Sequence, residues 1–344
     1  MEAISLTPCE ARTTPELSYA LRMRLTGLVL VLTACGSVSG KNPDAAVPDG
    51  QNPDAAVPDA PDPDAPGTAD APPPPCDVTK PFGTLTDLAA VNSNSNDSWG
   101  WFSGDLLTIY FAGTATNSSD INLYSATRTT LTATFHTPVL LGAINTTSTE
   151  DRPVVTADGL TLFAQSNAGG TVHIYVATRT SPAAQFGSLA LVSGVNGTGT
   201  TIDADPWISA DGLTMYFAST RDGTYDIFRA TRASTTAGFD TPAAVPELDS
   251  PSVDDAPVLS ADGLEIFFAS NRAQSSTGRN DIWHATRATT ADAFGTPTMM
   301  AELSGTTSED FPSWVSTDRC TLLFTSDRTG GNGSYDIYIA TRPQ

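Results

Sequence analysis

The sequence predicts an all-β protein, a five-bladed β-propeller with four-stranded antiparallel blades, from three repeating features. A turn led by aspartate recurs at intervals of 51 to 56 residues, at Asp105, Asp158, Asp211, Asp262 and Asp318. The tripeptide Ala-Thr-Arg closes each copy, ending at Arg128, Arg179, Arg232, Arg287 and Arg342. Between these two markers every copy carries short apolar runs. A repeat of this length that contains several short strands is typical of a propeller blade.

In chain order, residues 1–35 have the features of a secretory signal that ends in a lipidation motif. The basic stretch Arg22-Met23-Arg24 precedes an apolar run, residues 25–32, which is too short to span a bilayer. Leu32-Thr33-Ala34-Cys35 resembles the bacterial lipobox, and this resemblance implies that Cys35 is acylated. An ordinary secreted protein is the alternative. Because glycine follows Cys35, the resemblance to lipoprotein sorting implies an outer-membrane location, lipid-anchored and facing the periplasm or the cell surface.

Residues 36–75 are predicted to form a disordered linker. From residue 41 onward the segment is nearly all Pro, Asp, Ala, Gly and Val, and it contains the decamer pair KNPDAAVPDG and QNPDAAVPDA. Such a composition buries too little apolar surface to offset the entropy of ordering. The prolines favour the extended polyproline II conformation. We expect a tether that leads to the propeller of residues 76–344; a segment without a role is the alternative.

Each predicted blade contains a recognisable series of four strands. The second strand follows the aspartate-led turn and is apolar on both faces, as in Ile266-Phe267-Phe268, which indicates a sheet covered on both sides. A Phe-led segment supplies the outer strand. The last copy stops at Arg342 with three strands, whereas the first Phe-led segment, Phe82–Val91, precedes the first turn. We therefore expect Phe82–Val91 to complete the last blade and close the ring.

Two cysteines provide a check on this closure. Cys76 lies just before the closing strand, and Cys320 lies at the start of the second strand of the last blade. In a four-stranded meander, the turn between strands one and two lies on the same side as the start of strand four, so the two cysteines should approach each other. We predict a disulfide between Cys76 and Cys320 in an oxidising compartment, with two unpaired thiols as the alternative.

The repeat resembles the WD40-like propeller repeat of the TolB type. The third copy carries the pattern best, through Asp203, Pro206, Trp207, Ser209, Asp211, Gly212, Phe217, Ser219, Arg221 and Asp226-Ile227-Phe228. The resemblance implies a TolB-like propeller over all five copies. TolB has six blades, so its partner role is not implied for this chain. Leu106 in the first copy and Arg319 in the last replace the turn glycine.

An acid stands eight residues before each turn aspartate. We call these five residues the repeat acids: Asp97, Glu150, Asp203, Asp254 and Asp310. They begin the predicted innermost strands, so we expect them to ring one mouth of the central channel. Carboxylates facing one axis repel unless they are hydrogen-bonded, protonated or bridged by Ca²⁺ or Mg²⁺. Because the acid recurs in every blade, capping of backbone N–H groups in its own blade is the favoured interpretation, and we predict no metal and no cofactor.

The remaining candidates are aromatic or cationic. Trp99 lies beside a polar loop of the first blade and has no counterpart elsewhere, so it is a candidate for stacking on a sugar ring or a peptide. Trp101 aligns with Trp207 and Trp314, which we interpret as inner-strand core. The arginines that end the copies are expected to pair with acids of the same or an adjacent blade. The three histidines occupy different positions in their copies, without a nucleophile motif nearby, and we predict that the protein is not an enzyme.

The charge of the chain excludes one class of partner. The formal net charge is −21, which repels nucleic acid. We expect a monomeric envelope lipoprotein whose propeller binds an envelope protein, a peptide or a glycan. The alternative is a carbohydrate-active enzyme that uses channel carboxylates. A glycosidase would need two acids about 5–9 Å apart across a cleft, at least one of which breaks the repeat.

Overall fold

A computed structural model of the chain describes residues 76–114, 120–273 and 278–344, all of which belong to one compact unit. The predicted signal region, residues 1–35 with Cys35, and the predicted linker, residues 36–75, lie outside the described residues. In the part of the chain that the structure describes, no helix is long and apolar enough to cross a membrane.

The described residues form twenty strands. These are β1 (Thr84–Asp87), β2 (Asp97–Phe102), β3 (Thr108–Thr114), β4 (Ile121–Thr127), β5 (Val139–Leu140), β6 (Glu150–Val155), β7 (Thr161–Ser166), β8 (His173–Thr178), β9 (Ala190–Leu191), β10 (Asp203–Ile208), β11 (Thr214–Ser219), β12 (Asp226–Thr231), β13 (Ala243–Ala244), β14 (Asp254–Leu259), β15 (Glu265–Ser270), β16 (Asp281–Thr286), β17 (Thr298–Met299), β18 (Asp310–Val315), β19 (Thr321–Ser326) and β20 (Asp336–Thr341).

The strands form five antiparallel sheets of four, which are the five predicted blades. Blades 1 to 4 follow chain order from β2 to β17, and blade 5 has the order β18, β19, β20, β1. The innermost strands contact one another in the cyclic order β2, β6, β10, β14, β18 and back to β2. The five-bladed propeller predicted from the repeat is therefore confirmed.

The N-terminal strand of the described domain closes the ring. β1 pairs antiparallel with β20, with Thr84 opposite Thr341. The structure joins Cys76 to Cys320 by a disulfide, with the two Cα atoms 5.7 Å apart. The first and last segments of the propeller are thus held together by a backbone ladder and a covalent bond.

The second strands are buried on both faces because neighbouring blades cover them. β15 is buried at every position, and Phe267 and Phe268, which point to opposite faces, are fully buried. Burying a phenylalanine side chain contributes about 1.5–3 kcal/mol. The continuous apolar runs of the repeat therefore build the interfaces between blades.

The outer strands of blades 1 to 4 are shorter than the Phe-led segments predicted, with two residues each. The leading phenylalanine leaves the sheet and packs beneath the arginine that ends the third strand. The guanidinium carbons lie 4.2 to 4.7 Å from the ring centroids in the pairs Arg128–Phe135, Arg179–Phe186, Arg232–Phe239 and Arg287–Phe294. Cation–π contact and burial hold the ring more favourably than an exposed edge would.

The expectation that the same arginines pair with acids is wrong for blades 1 to 4. In blades 1 to 4 the Nε–H donates to a backbone carbonyl of the aspartate-led turn, as from Arg232 to Gly212 at 2.7 Å. Arg342 does contact an acid, Glu265, at 3.6 Å. The turn carbonyls are the nearer acceptors, so the arginines fix the turns to the blades.

Candidate functional site

The five repeat acids begin the innermost strands, but their carboxylates turn into their own blades. All are buried, and each accepts a backbone N–H from the loop before its strand, at 2.5 to 2.8 Å, in the pairs Ser93–Asp97, Thr146–Glu150, Gly197–Asp203, Ser250–Asp254 and Gly305–Asp310. In blades 3 to 5 an arginine also donates, in the pairs Arg221–Asp203, Arg272–Asp254 and Arg328–Asp310. The expected ring of carboxylates at the channel mouth is not formed, because backbone donors of each blade hold these side chains.

A β-bulge in the innermost strands directs other residues into the channel. Two residues after the repeat acid, Trp99, Arg152, Asp205 and Ala256 have positive φ angles of 51° to 58°, and the ladder register shifts there. Blade 5 has Pro312 at this position, whose ring keeps φ negative. Because a bulge re-aims side chains, these five residues line one end of the channel, which we call the narrow end.

Arg152 is at the centre of the narrow end. Its guanidinium carbon lies 3.3 Å from the centroid of the Trp99 ring, and its Nε contacts Asp205 Oδ1. Trp99 packs against Phe311, with ring centroids 5.2 Å apart. The backbone N–H of Ala256 donates to Asp205 Oδ2 at 3.1 Å. Each of the five blades thus contributes one residue to a single network, and Trp99 is covered by Arg152 within it.

Two further buried carboxyls accompany Asp205. Burial raises the pKa of Asp151 to about 6, opposed by the charge of Arg152. Burial and repulsion by Asp205 raise the pKa of Asp255 to about 8. Burial also raises the pKa of Asp205, with Arg152 opposing the shift. Three carboxyls share one guanidinium, so Asp255 keeps its proton at neutral pH.

The variant Asp255→Asn should make the stability of the protein less dependent on pH. A raised carboxyl pKa means that the folded state holds a proton which the unfolded chain has already lost, so the contribution of Asp255 to stability is greatest below about pH 4 and is lost as pH rises through about 8. Asparagine is uncharged at every pH, so the variant lacks the pH-dependent contribution of Asp255 to stability. Urea unfolding midpoints should therefore differ less between acidic and alkaline buffer for Asp255→Asn than for the wild type.

The exposed Asp222→Asn is the control for this experiment, since it removes a carboxylate outside the narrow end. It should preserve the wild-type pH profile. If the pH dependence of stability were unchanged in Asp255→Asn as well, the pKa of Asp255 would not be raised in the folded protein.

The narrow end has little free space. The cavity among its residues measures about 20 Å³, which holds about one water molecule. Among the described residues, no group of three or more His, Cys, Asp or Glu side chains could hold a metal ion. The side chains of the narrow end therefore fill the channel there, and their contacts join the five blades.

The opposite end of the channel opens into an apolar recess of about 200 Å³. Its wall includes Trp101, Trp207 and Trp314, together with Phe102, Val155, Ile208, Leu259 and Val315. We call this recess the tryptophan funnel. Trp101 Nε1 donates to the carbonyl of Val155 at 2.9 Å, and Trp314 packs edge-on against Phe102 with centroids 5.1 Å apart. These contacts hold the aromatic wall in place, so the recess is preformed.

Small residues keep the tryptophan funnel open. The residues just before the aspartate of each turn are Gly104, Ala157, Ala210, Ala261 and Thr317, and all five line the rim of the recess. A Cβ added at Gly104 would lie 2.8 Å from the carbonyl oxygen of Ala157, so blades 1 and 2 approach closely only because Gly104 is glycine. At the rim the backbones of neighbouring turns lie close together, and their side chains are small.

The three tryptophans are inner-strand core as predicted, only 7 to 9% exposed, but the recess that they border was not predicted from the sequence. The sequence of the repeat does contain a pattern that could have indicated the recess. Tryptophan in blades 1, 3 and 5 alternates with Val154 and Val258 in blades 2 and 4, and small residues precede every turn. The small residues before the turns leave space beside the tryptophans.

The fold and its two channel ends define a five-bladed β-propeller whose channel is filled at one end and has an apolar recess at the other. The chain is similar in fold to TolB from Acinetobacter baumannii, at 15% identity and a TM-score of 0.44, over 74% of this chain and 57% of that one. It is similar to a putative TolB from Agrobacterium tumefaciens, at 16% identity and a TM-score of 0.46, over 76% and 97% of the two chains.

A third similar structure is the catalytic domain of a GH62 α-L-arabinofuranosidase from Coprinopsis cinerea. It is 13% identical, with a TM-score of 0.43, over 76% of this chain and 95% of that one. At such identities the likeness concerns the fold alone. No family model matches the chain, and no curated protein sequence matches it.

Proposed function

We propose that this protein is a cell-envelope lipoprotein that displays its propeller as a non-catalytic binding module, with the tryptophan funnel as the binding site. The funnel carries the proposal. It is a preformed apolar recess walled by three tryptophans, a residue type that dominates binding hot spots. The lipobox-like Leu32–Cys35 motif and the proline-rich linker support display of the domain at a membrane.

The chemistry of the wall favours a protein or peptide partner over a glycan. Sugar recognition needs several convergent hydrogen-bonding side chains, whereas the funnel offers aromatic and aliphatic groups with hydroxyls at the rim, such as Ser209 and Ser316. An apolar side chain of the partner would fill the recess and exclude water from it. The bound group is therefore an aromatic or aliphatic anchor residue.

Site-specific photocrosslinking in cells tests this proposal. A benzophenone amino acid placed at Ala157, on the rim, should form a protein adduct in the envelope. Ala210→Glu, on the rim of the adjacent blade 3, should reduce the adduct about tenfold or more, since a charge in an apolar hot spot costs upward of about 2 kcal/mol. The rim position avoids the core, so the variant should fold normally.

Ala244→Glu is the matched control, because Ala244 belongs to the same blade but lies exposed on the outer strand β13. It should leave the adduct at wild-type yield. Equal adduct yields from Ala210→Glu and Ala244→Glu would show that the partner does not use the funnel.

A carbohydrate-active enzyme is the second candidate, since Asp151, Asp205 and Asp255 break the repeat and burial raises the pKa of each. The pKa values of Asp151, about 6, and Asp255, about 8, differ as those of an acid–base pair do. The small volume of the narrow end opposes it, because a sugar ring would have to displace Arg152. Release of chromophore from aryl glycosides, lost in both Asp205→Asn and Asp255→Asn, would favour the enzyme over the binding module.

A further inference from the structure

The outer edges of blades 1 and 2 carry an unusual share of exposed apolar side chains. Five large hydrophobic residues are exposed in the described part of the chain, and four of them lie on these two edges: Leu131 at 57%, Val139 at 65%, Leu140 at 47% and Leu191 at 56%. Val139 and Leu140 form β5, and Leu191 ends β9. The same outer strand in blade 3 consists of Ala243 and Ala244.

The same two edges lack acidic residues. Residues 129–149 and 180–202 contain no aspartate or glutamate, in a chain whose formal net charge is −21. The corresponding stretches of the other blades do contain acids: Asp240, Glu247 and Asp249 in blade 3; Asp292, Glu302 and Glu309 in blade 4; Asp77 and Asp87 in blade 5. We call residues 129–149 and 180–202 the acid-free face.

A groove joins the two halves of this face. It is lined by the backbone and side chains of residues 139–144 from blade 1 and by Arg179, Ala184, Gln185 and Phe186 from blade 2, and its volume is about 170 Å³. Arg179 is not a free cation within it. Its Nε donates to Gly159, its second amino group to the Tyr110 hydroxyl at 2.9 Å, and its guanidinium covers Phe186.

In contrast to the monomer expected from the sequence, we infer that the acid-free face is an interface with a second copy of this chain, related by a two-fold axis. Two copies of a strongly acidic protein repel each other, so they can associate only where both surfaces lack acids. A two-fold axis places the same patch on both partners, and the acid-free face meets this condition with itself. The exposed side chains of Val139, Leu140 and Leu191 would be removed from water.

Other occupants fit this face less well. A basic partner would be attracted to the acidic edges of blades 3 to 5. An anionic lipid surface would need free cations beside the apolar residues. Arg128 and Arg179 instead donate to backbone oxygens of Leu106 and Gly159. Pro138 and the shortness of β5 oppose addition of a further strand, so the contact is through side chains.

Sedimentation velocity of the full chain, with Cys35→Ser in every sample to prevent acylation, tests the inference. The protein with Cys35→Ser alone should show a monomer–dimer equilibrium. Its dimer fraction should rise with salt concentration, because screening weakens the repulsion between the two copies. Val139→Glu with Leu140→Glu should weaken dimerisation more than about 30-fold, since like charges meet across the axis. Ala243→Glu with Ala244→Glu, at the same positions of blade 3, is the matched control and should dimerise as the wild type does.

Thermal unfolding checks that both double variants fold, since all four substituted side chains are exposed or on outer strands. Three results would overturn the inference. These are a monomeric wild type at all salt and protein concentrations, equal weakening by the two double variants, and cosedimentation of the monomer with anionic vesicles that is lost in Val139→Glu with Leu140→Glu.

Discussion

Replacing both cysteines, Cys76→Ser with Cys320→Ser, should lower the free energy of unfolding by about 5 kcal/mol. The disulfide spans 244 residues of chain, and its loss greatly enlarges the conformational freedom of the unfolded state. In the folded state the four-residue strand β1 would then be held mainly by its ladder with β20. Equilibrium denaturation, followed by circular dichroism, measures the difference.

Reductant supplies the control for this experiment. Reduced wild type should unfold at the midpoint of the double variant, and reductant should not change the midpoint of the variant itself. Coincident unfolding curves for the oxidised wild type and the double variant would show that ring closure does not depend on the disulfide.

Asp203→Ala should destabilise the protein by about 3–5 kcal/mol. Asp203 is fully buried and accepts hydrogen bonds from Ser219 Oγ at 2.7 Å, Arg221 at 2.6 Å and the Gly197 backbone at 2.6 Å. Alanine would leave three donors without their acceptor, one of them charged. The same denaturation experiment measures the loss, which would show that Asp203 has a structural role.

A double-mutant cycle with Arg221→Ala sharpens this prediction. Because the two side chains contact each other, the double variant should lose less than the sum of the single variants. Asp222→Asn, exposed and next to Arg221, should change stability by less than about 0.5 kcal/mol. Additive effects of Asp203→Ala and Arg221→Ala would contradict the assigned ion pair.

The repeat itself was enough to determine the architecture of the propeller. The spacing of the aspartate-led turns specified the number of blades, and the phase of the Phe-led segments specified that Phe82–Val91 joins the last blade. The pairing of Cys76 with Cys320 followed from the order of strands in a meander, and the structure forms this disulfide. These properties depend on local patterns that recur, so they can be recognised in one sequence.

The direction of individual side chains was decided by the tertiary structure. On a regular strand, residues two apart face the same side, so Asp203 and Asp205 would be expected to point together. The bulge at Asp205, with φ of 55°, turns its carboxylate to Arg152 of the neighbouring blade, whereas Asp203 stays with Gly197 and Arg221 of its own.

The tryptophan funnel and the acid-free face have the same origin. Each exists because segments from different blades meet in the closed ring: five turns at one axis, and two outer edges side by side. The sequence determined which residues each blade would offer. Only the ring determined which of them became neighbours, because the contacts join residues that lie in different copies of the repeat.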